Sequence, residues 1–112
     1  MLVAGRGLAF TWPAAVERPP PQYRSGPTQY GETRERAFSD PRRLQAFCNF
    51  YLGPPPRGYY QACYIPALDL VVLPDRRAWP SAAERAALRE HEFAHARGWR
   101  HDLGVRVASE GR

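Results

Sequence analysis

Ser81 and Gly98 bracket a stretch, SAAERAALREHEFAHARG, for which one local structure fits every residue. Ser81 and Glu84 have the S-x-x-E spacing of a capping box, in which the serine hydroxyl accepts from a backbone N–H that the first helical turn cannot pair internally. The residues that follow are mainly alanine, leucine, arginine and glutamate, all strong helix formers. Gly98 then supplies the left-handed backbone that ends a helix at little cost. The pattern predicts a helix over about residues 82–97.

All three histidines of the chain lie in this helix or just beyond it. His91 and His95 are four apart, about 400° of helical advance, so both side chains leave one face a turn apart and can reach one zinc ion. Glu92 directly follows the first histidine, where it can polarise a water at that ion without ligating it. Zinc in a catalytic site takes three protein ligands and keeps one position open. His101 is the natural third ligand, yet on an unbroken helix it would project about 120° away from His95. A glycine at 98 turns the chain out of the helix and lets His101 return. Asp102 is the alternative third ligand, or a partner that orients one of the histidines. The full string H-E-x-x-H-x-x-G-x-x-H, with five defined positions, is far more specific than a bare HExxH.

The 112 residues allow one small domain. Residues 17–36, ERPPPQYRSGPTQYGETRER, are dominated by proline, glycine and charge and read as a linker or disordered arm. The block 1–37 is therefore expected to be a mostly disordered N-terminal arm, ahead of a metal-binding domain over 38–112. In that domain Ser39 or Asp40 can cap a helix, Pro41 fits its first turn and Gly53 stops it. Leu44, Phe47 and Tyr51 give this helix an apolar face. In YYQACYIPALDLVVLPD two short apolar runs flank PAL, which predicts a hairpin or two neighbouring strands. DLVVL is the stronger run, and Pro74 favours an edge or terminal placement for it. GVRVA, near the end, is a candidate for one more short strand. The fold class expected is α+β: a small antiparallel sheet or hairpin packed on the C-terminal metal-binding helix, plus one further helix.

All 16 basic residues are arginine, and the formal net charge of +5 favours acidic partners or surfaces. The arginines are scattered and form no nucleic-acid-binding motif, so nucleic acid is not the expected partner. Cys48 and Cys63 make no CxxC pair; one disulfide suited to an oxidising compartment and two reduced core thiols are both compatible with them. The N-terminal apolar run is interrupted by Thr11 and Pro13 and makes no clean export signal, which leaves cytoplasmic and periplasmic or cell-envelope locations open. No stretch is long enough to span a bilayer.

HEFAHARGWRH resembles the zinc-binding helix of metzincin-type metallopeptidases. With DLVVLP ahead of LREHEFAHARGWRHD, the C-terminal half is similar to very small zinc metallopeptidases of bacteria and mobile elements; the likeness runs over about residues 61–102 and is specific over 91–101. It implies a minimal zincin-like domain, with zinc on His91, His95 and His101, Glu92 as general base, and hydrolysis of peptide bonds in a peptide or protein substrate. It further implies that DLVVL binds extended substrate along its edge by strand addition. The only methionine is Met1, so the methionine turn of metzincins has no counterpart downstream of His101, and zincin-like is the closer description. Two other functions fit the same residues: a catalytically silent zinc module used for interaction or assembly, and a zincin-like protein associated with nucleic acid. Among the remaining residues, Tyr59, Tyr60 and Tyr64 are either oxyanion donors or half-buried strand aromatics. Trp79 and Trp99 are expected to pack at the two ends of the metal-binding helix, and Arg97 and Arg100 either are solvated or add positive potential near the metal.

Overall fold

The computed structural model describes residues 12–77 and 81–101. Trp79, Asp102 and the GVRVA segment lie outside them.

Both helices begin and end where their caps predict. Helix α1 spans Pro41–Leu52, with the Asp40 carboxylate accepting from the Arg42 N–H at 2.9 Å and Gly53 taking a positive φ of 79° at the stop. Helix α2 spans Ala82–Ala96, with Ser81 Oγ accepting from the Glu84 N–H at 3.2 Å. Three strands complete the domain: β1 (Arg34–Phe38), β2 (Cys63–Ile65) and β3 (Leu70–Pro74). The chain is α+β, as expected, but the sheet is mixed rather than antiparallel. Its order is β1-β3-β2, with β2 antiparallel and β1 parallel to β3. The β2–β3 connection is the hairpin anticipated around PAL, which forms a single 3-10 turn closed by Asp69 in the left-handed conformation (φ 50°). A parallel pair needs a long crossover, and α1 with the hairpin supplies it between β1 and β3.

Two placements differ from the sequence reading. Of the two placements open to Pro74 the terminal one holds, since it is the last residue of β3, while the edge one does not, since β3 is the central strand. A proline is tolerated there because it needs no ladder donor at the strand's end; the next residue, Asp75, donates to the Phe38 carbonyl at 2.7 Å instead. The strand-addition role for DLVVL is thereby corrected, since β1 and β2 already occupy both of its edges. The second difference is β1 itself, most of which falls inside the stretch read as a linker or arm. Its first three residues, Arg34, Glu35 and Arg36, are charged and exposed, as suits an edge strand, where charge is a common defence against unwanted edge pairing.

β3 is buried throughout because the sheet is covered on both faces. Tyr64, Val71 and Leu73 point to one face and pack with Ala87, Leu88 and Ala96 of α2. Cys63, Ile65, Leu70 and Val72 point to the other and pack with Leu44 and Cys48 of α1. Burying each valine or leucine in this way contributes about 1.5–3 kcal/mol. The buried stripe of α1 is thus centred on Leu44 and Cys48, while Tyr51, expected on that face, is 41% exposed. Cys48 and Cys63 form a disulfide that ties α1 to β2.

The segment ahead of β1 is also part of the structure. Val16 belongs to the core on the α2 side, and Pro19 is fully buried. Gln29 N–H donates to the Ala96 carbonyl at 2.8 Å, and the Arg97 guanidinium donates to the carbonyls of Gly26 at 2.8 Å and Tyr23 at 3.2 Å. Residues 12–29, expected to be disordered, therefore run along the C-terminal end of α2. Among the described residues, no helix is long and apolar enough to cross a membrane.

Candidate metal centre

The last turn of α2 and the turn beyond it build the site. The helix closes with a paired set of bonds: the Gly98 N–H donates to the His95 carbonyl at 3.0 Å, and the Trp99 N–H donates to the Ala94 carbonyl at 3.0 Å. This is the Schellman arrangement, and it needs a left-handed residue at its centre, which Gly98 provides with φ 111°. The chain then doubles back, so that His101 lies beside the two helical histidines with ring centroids 5.3 Å from His91 and 4.6 Å from His95.

His91, His95 and His101 each offer a ligand nitrogen, and these three atoms lie within 4.8 Å of one another. His91 Nδ1 donates to the backbone carbonyl of Glu17 at 2.7 Å, and His95 Nδ1 donates to the backbone carbonyl of Trp99 at 2.7 Å. A carbonyl oxygen only accepts, so both Nδ1 atoms carry a proton, and in each neutral ring Nε2 is the nitrogen left to bind a cation. The two Nε2 atoms stand 3.2 Å apart. Two nitrogens at about 2.05 Å from a tetrahedral zinc are about 3.3 Å from each other, so this pair already has the spacing of one edge of that tetrahedron. The three residues can hold a metal ion. The C-terminal end of a helix carries partial negative charge, which favours a cation beside His95.

A third anchor belongs to His101. Its Nδ1 lies 3.1 Å from Glu17 Oε1, so Glu17 meets two of the three imidazoles, one through its backbone carbonyl and one through its carboxylate. Glu17 carries no signal of this role in the sequence. It lies 74 residues from His91, inside a proline-rich stretch, and no local spacing connects it to the motif. The nearby apolar residues Trp12 and Val16, which pack in the cluster that α2 joins, are the sequence signal that this segment docks.

Trp99 walls the three rings from one side. Its indole stacks on His95 at 4.8 Å with an interplanar angle of 8°, and its centroid is 4.9 Å from that of His91 and 4.7 Å from that of His101. At 7% exposure it packs as expected, and it also limits the rotamers open to all three histidines.

Glu92 is 3% exposed, a degree of burial that carboxylates seldom reach unless paired. It opens with His91 onto a cleft of about 160 Å³ whose walls include Glu17, Leu88, Arg57 and Tyr59. Of the three tyrosines considered as oxyanion donors, two have their hydroxyls committed elsewhere. Tyr60 donates to the Gly53 carbonyl, and Tyr64 donates to Asp69 Oδ1 at 2.8 Å, where burial and the neighbouring carboxylate push its pKa well up. Tyr59 is 69% exposed and lines the cleft. The Arg97 guanidinium is tied to the N-terminal segment by its bonds to the Gly26 and Tyr23 carbonyls, and Arg100 is exposed.

No protein-family model, no curated protein and no solved structure matches this chain.

Proposed function

We propose that this protein is a zinc-dependent peptide hydrolase. The observation that carries the reading is the pairing of two inward-facing imidazole nitrogens 3.2 Å apart with a buried Glu92 that shares a cleft with His91. Three protein ligands with a fourth position for water or substrate is the pattern of catalytic rather than structural zinc sites. When bound, zinc supplies Lewis acidity, lowering the pKa of water and polarising the scissile carbonyl. His91, His95 and His101 would hold it, with each Nδ1 anchored by a carbonyl or carboxylate oxygen that fixes the direction of its ring. Glu92 takes the proton from the attacking water and passes it to the leaving amine nitrogen as the peptide bond breaks.

A metal module without catalysis is the second reading, and the cleft's volume favours it. About 160 Å³ is below the range of about 300–1,000 Å³ common for small-molecule pockets. The experiment that separates the two combines metal content with cleavage of an unstructured peptide library. Stoichiometric zinc with cleavage that Glu92→Ala abolishes, while zinc is retained, supports the hydrolase. Zinc without cleavage of any peptide selects the silent module. Wild-type protein that takes up no metal under saturating zinc rejects both.

A further inference from the structure

We infer that Glu17 is a positioning residue that sets the metal affinity of the centre by orienting two of its three histidines at once; this rests on the metal-binding reading above. Its backbone carbonyl accepts from His91 Nδ1 at 2.7 Å, and its carboxylate oxygen Oε1 lies 3.1 Å from His101 Nδ1. The two contacts do different work. The carbonyl fixes the tautomer and direction of a ring on the rigid helix. The carboxylate fixes a ring on the turn after the helix, where the backbone alone constrains His101 least, and it draws electron density onto that imidazole, making its Nε2 a stronger donor to a cation.

The position of Glu17 is itself fixed. Val16 beside it is 5% exposed in the core, and the Trp12 indole N–H donates back to the Val16 carbonyl. Two residues on, Pro19 is buried, with its carbonyl accepting from Arg24 Nε at 2.7 Å. Farther along, Gly26 and Gln29 are bonded to Arg97 and Ala96 at the end of α2. The Glu17 side chain, by contrast, is 63% exposed and contributes to no apolar cluster. Its contact with His101 is thus separable from the packing of the segment, and substitution tests the positioning role without removing the core.

The test compares wild type with Glu17→Ala, Glu17→Gln and Glu17→Asp in the full chain. Zinc affinity is measured by competition with a chromophoric chelator, the visible absorption of the cobalt(II) form reports ligand geometry, and thermal unfolding of the metal-free protein reports packing. The expected result for Glu17→Ala is a zinc affinity about tenfold weaker, at the lower end of what loss of such an orienting partner costs because the carboxylate is exposed. The cobalt band shifts, while the metal-free unfolding midpoint stays where it was. Glu17→Gln keeps an accepting oxygen but not the charge and falls between, and Glu17→Asp recovers part of the affinity. Glu17→Ala that binds zinc within twofold of wild type, with an unchanged cobalt spectrum, overturns the inference and leaves the metal centre standing. Wild-type protein that binds neither zinc nor cobalt overturns the metal reading and this inference together.

Discussion

His91 and His95 face each other through their Nε2 atoms at 3.2 Å, each held by an Nδ1–H that donates to a backbone carbonyl. The two carbonyls come from opposite directions in the chain: Glu17 lies far ahead of the helix, and Trp99 lies just past its end. Two neutral-ring Nε2 atoms at that separation become an attractive arrangement when a cation sits between them. The helix end, the turn and the N-terminal segment are therefore all committed to one point in space.

Saturating metal should accordingly raise stability by mass action. At a free zinc concentration a thousand times the dissociation constant, the native state gains about 4 kcal/mol. Differential scanning calorimetry with and without zinc should show that upward shift in the wild type and its loss in His91→Ala, which removes one Nε2 and the bond to Glu17. A shift of equal size in His91→Ala would place the metal elsewhere.

Gly98 is the next point of leverage. With φ at 111°, any other L-residue is strained there, and an added Cβ would also meet the Gln29 side chain at 3.5 Å, an ordinary contact. The strain rather than the crowding therefore dominates. Gly98→Ala should cost about 1–2 kcal/mol of stability and weaken zinc binding as well, because the turn that returns His101 to the site is the element disturbed. A surface glycine with no such duty would show the first effect without the second, so measuring both in one variant is the check.

The caps make both helices legible in the sequence: Asp40, Pro41 and Gly53 mark α1, and Ser81, Glu84 and Gly98 mark α2. The three histidines were legible for the same reason, since helical geometry and one glycine fix their relation. What local pattern could not show is anything decided by a distant partner. β1 carries Arg34, Glu35 and Arg36, with no hydrophobic alternation; it is a strand because β3 has an open edge beside it. β3 reads as a short apolar run, and whether such a run is edge or centre depends on that same hidden neighbour. Glu17 is the sharpest case. Half of its role belongs to a backbone carbonyl, which no side-chain motif can encode.

The pair between Glu35 on β1 and Arg89 on α2 predicts a specific acid response. Arg89 meets both carboxylate oxygens, and that hydrogen bonding holds the Glu35 pKa below its ordinary value. A depressed carboxylate contributes stability at pH values above its unfolded pKa, about 4.3, and loses it as pH falls through the lower folded value. Both side chains are more than a third exposed, 48% for Arg89 and 37% for Glu35, so screening limits the effect to less than about 1 kcal/mol. Urea unfolding of the metal-free protein should lose stability on going from pH 5 to pH 3 (roughly the window set by these pKa values), and Glu35→Gln should lose less over the same interval. Equal losses would assign the acid response to other carboxylates.

The disulfide and the metal centre lie in different layers, which makes their contributions separable. Cys48 is on α1 and Cys63 on β2, both in the cluster that fills the α1 face of the sheet, whereas the histidines sit at the end of α2 on the opposite face. The bond closes a loop with a sequence separation of 15, for which the lost chain entropy of the unfolded state corresponds to about 3 kcal/mol. In a domain of this size that is roughly 10–20 °C in the unfolding midpoint. A protein reduced under native conditions, or the Cys48→Ala/Cys63→Ala variant, should show this drop. Zinc affinity at 25 °C should stay within about threefold of the oxidised protein, because sites with no shared partners act nearly independently. A chelator competition run on both redox forms decides the matter: a much larger loss of affinity on reduction would mean that strain in the α1 layer reaches α2 through the sheet, and that the centre is organised by the whole domain rather than by the helix end and the segment that carries Glu17.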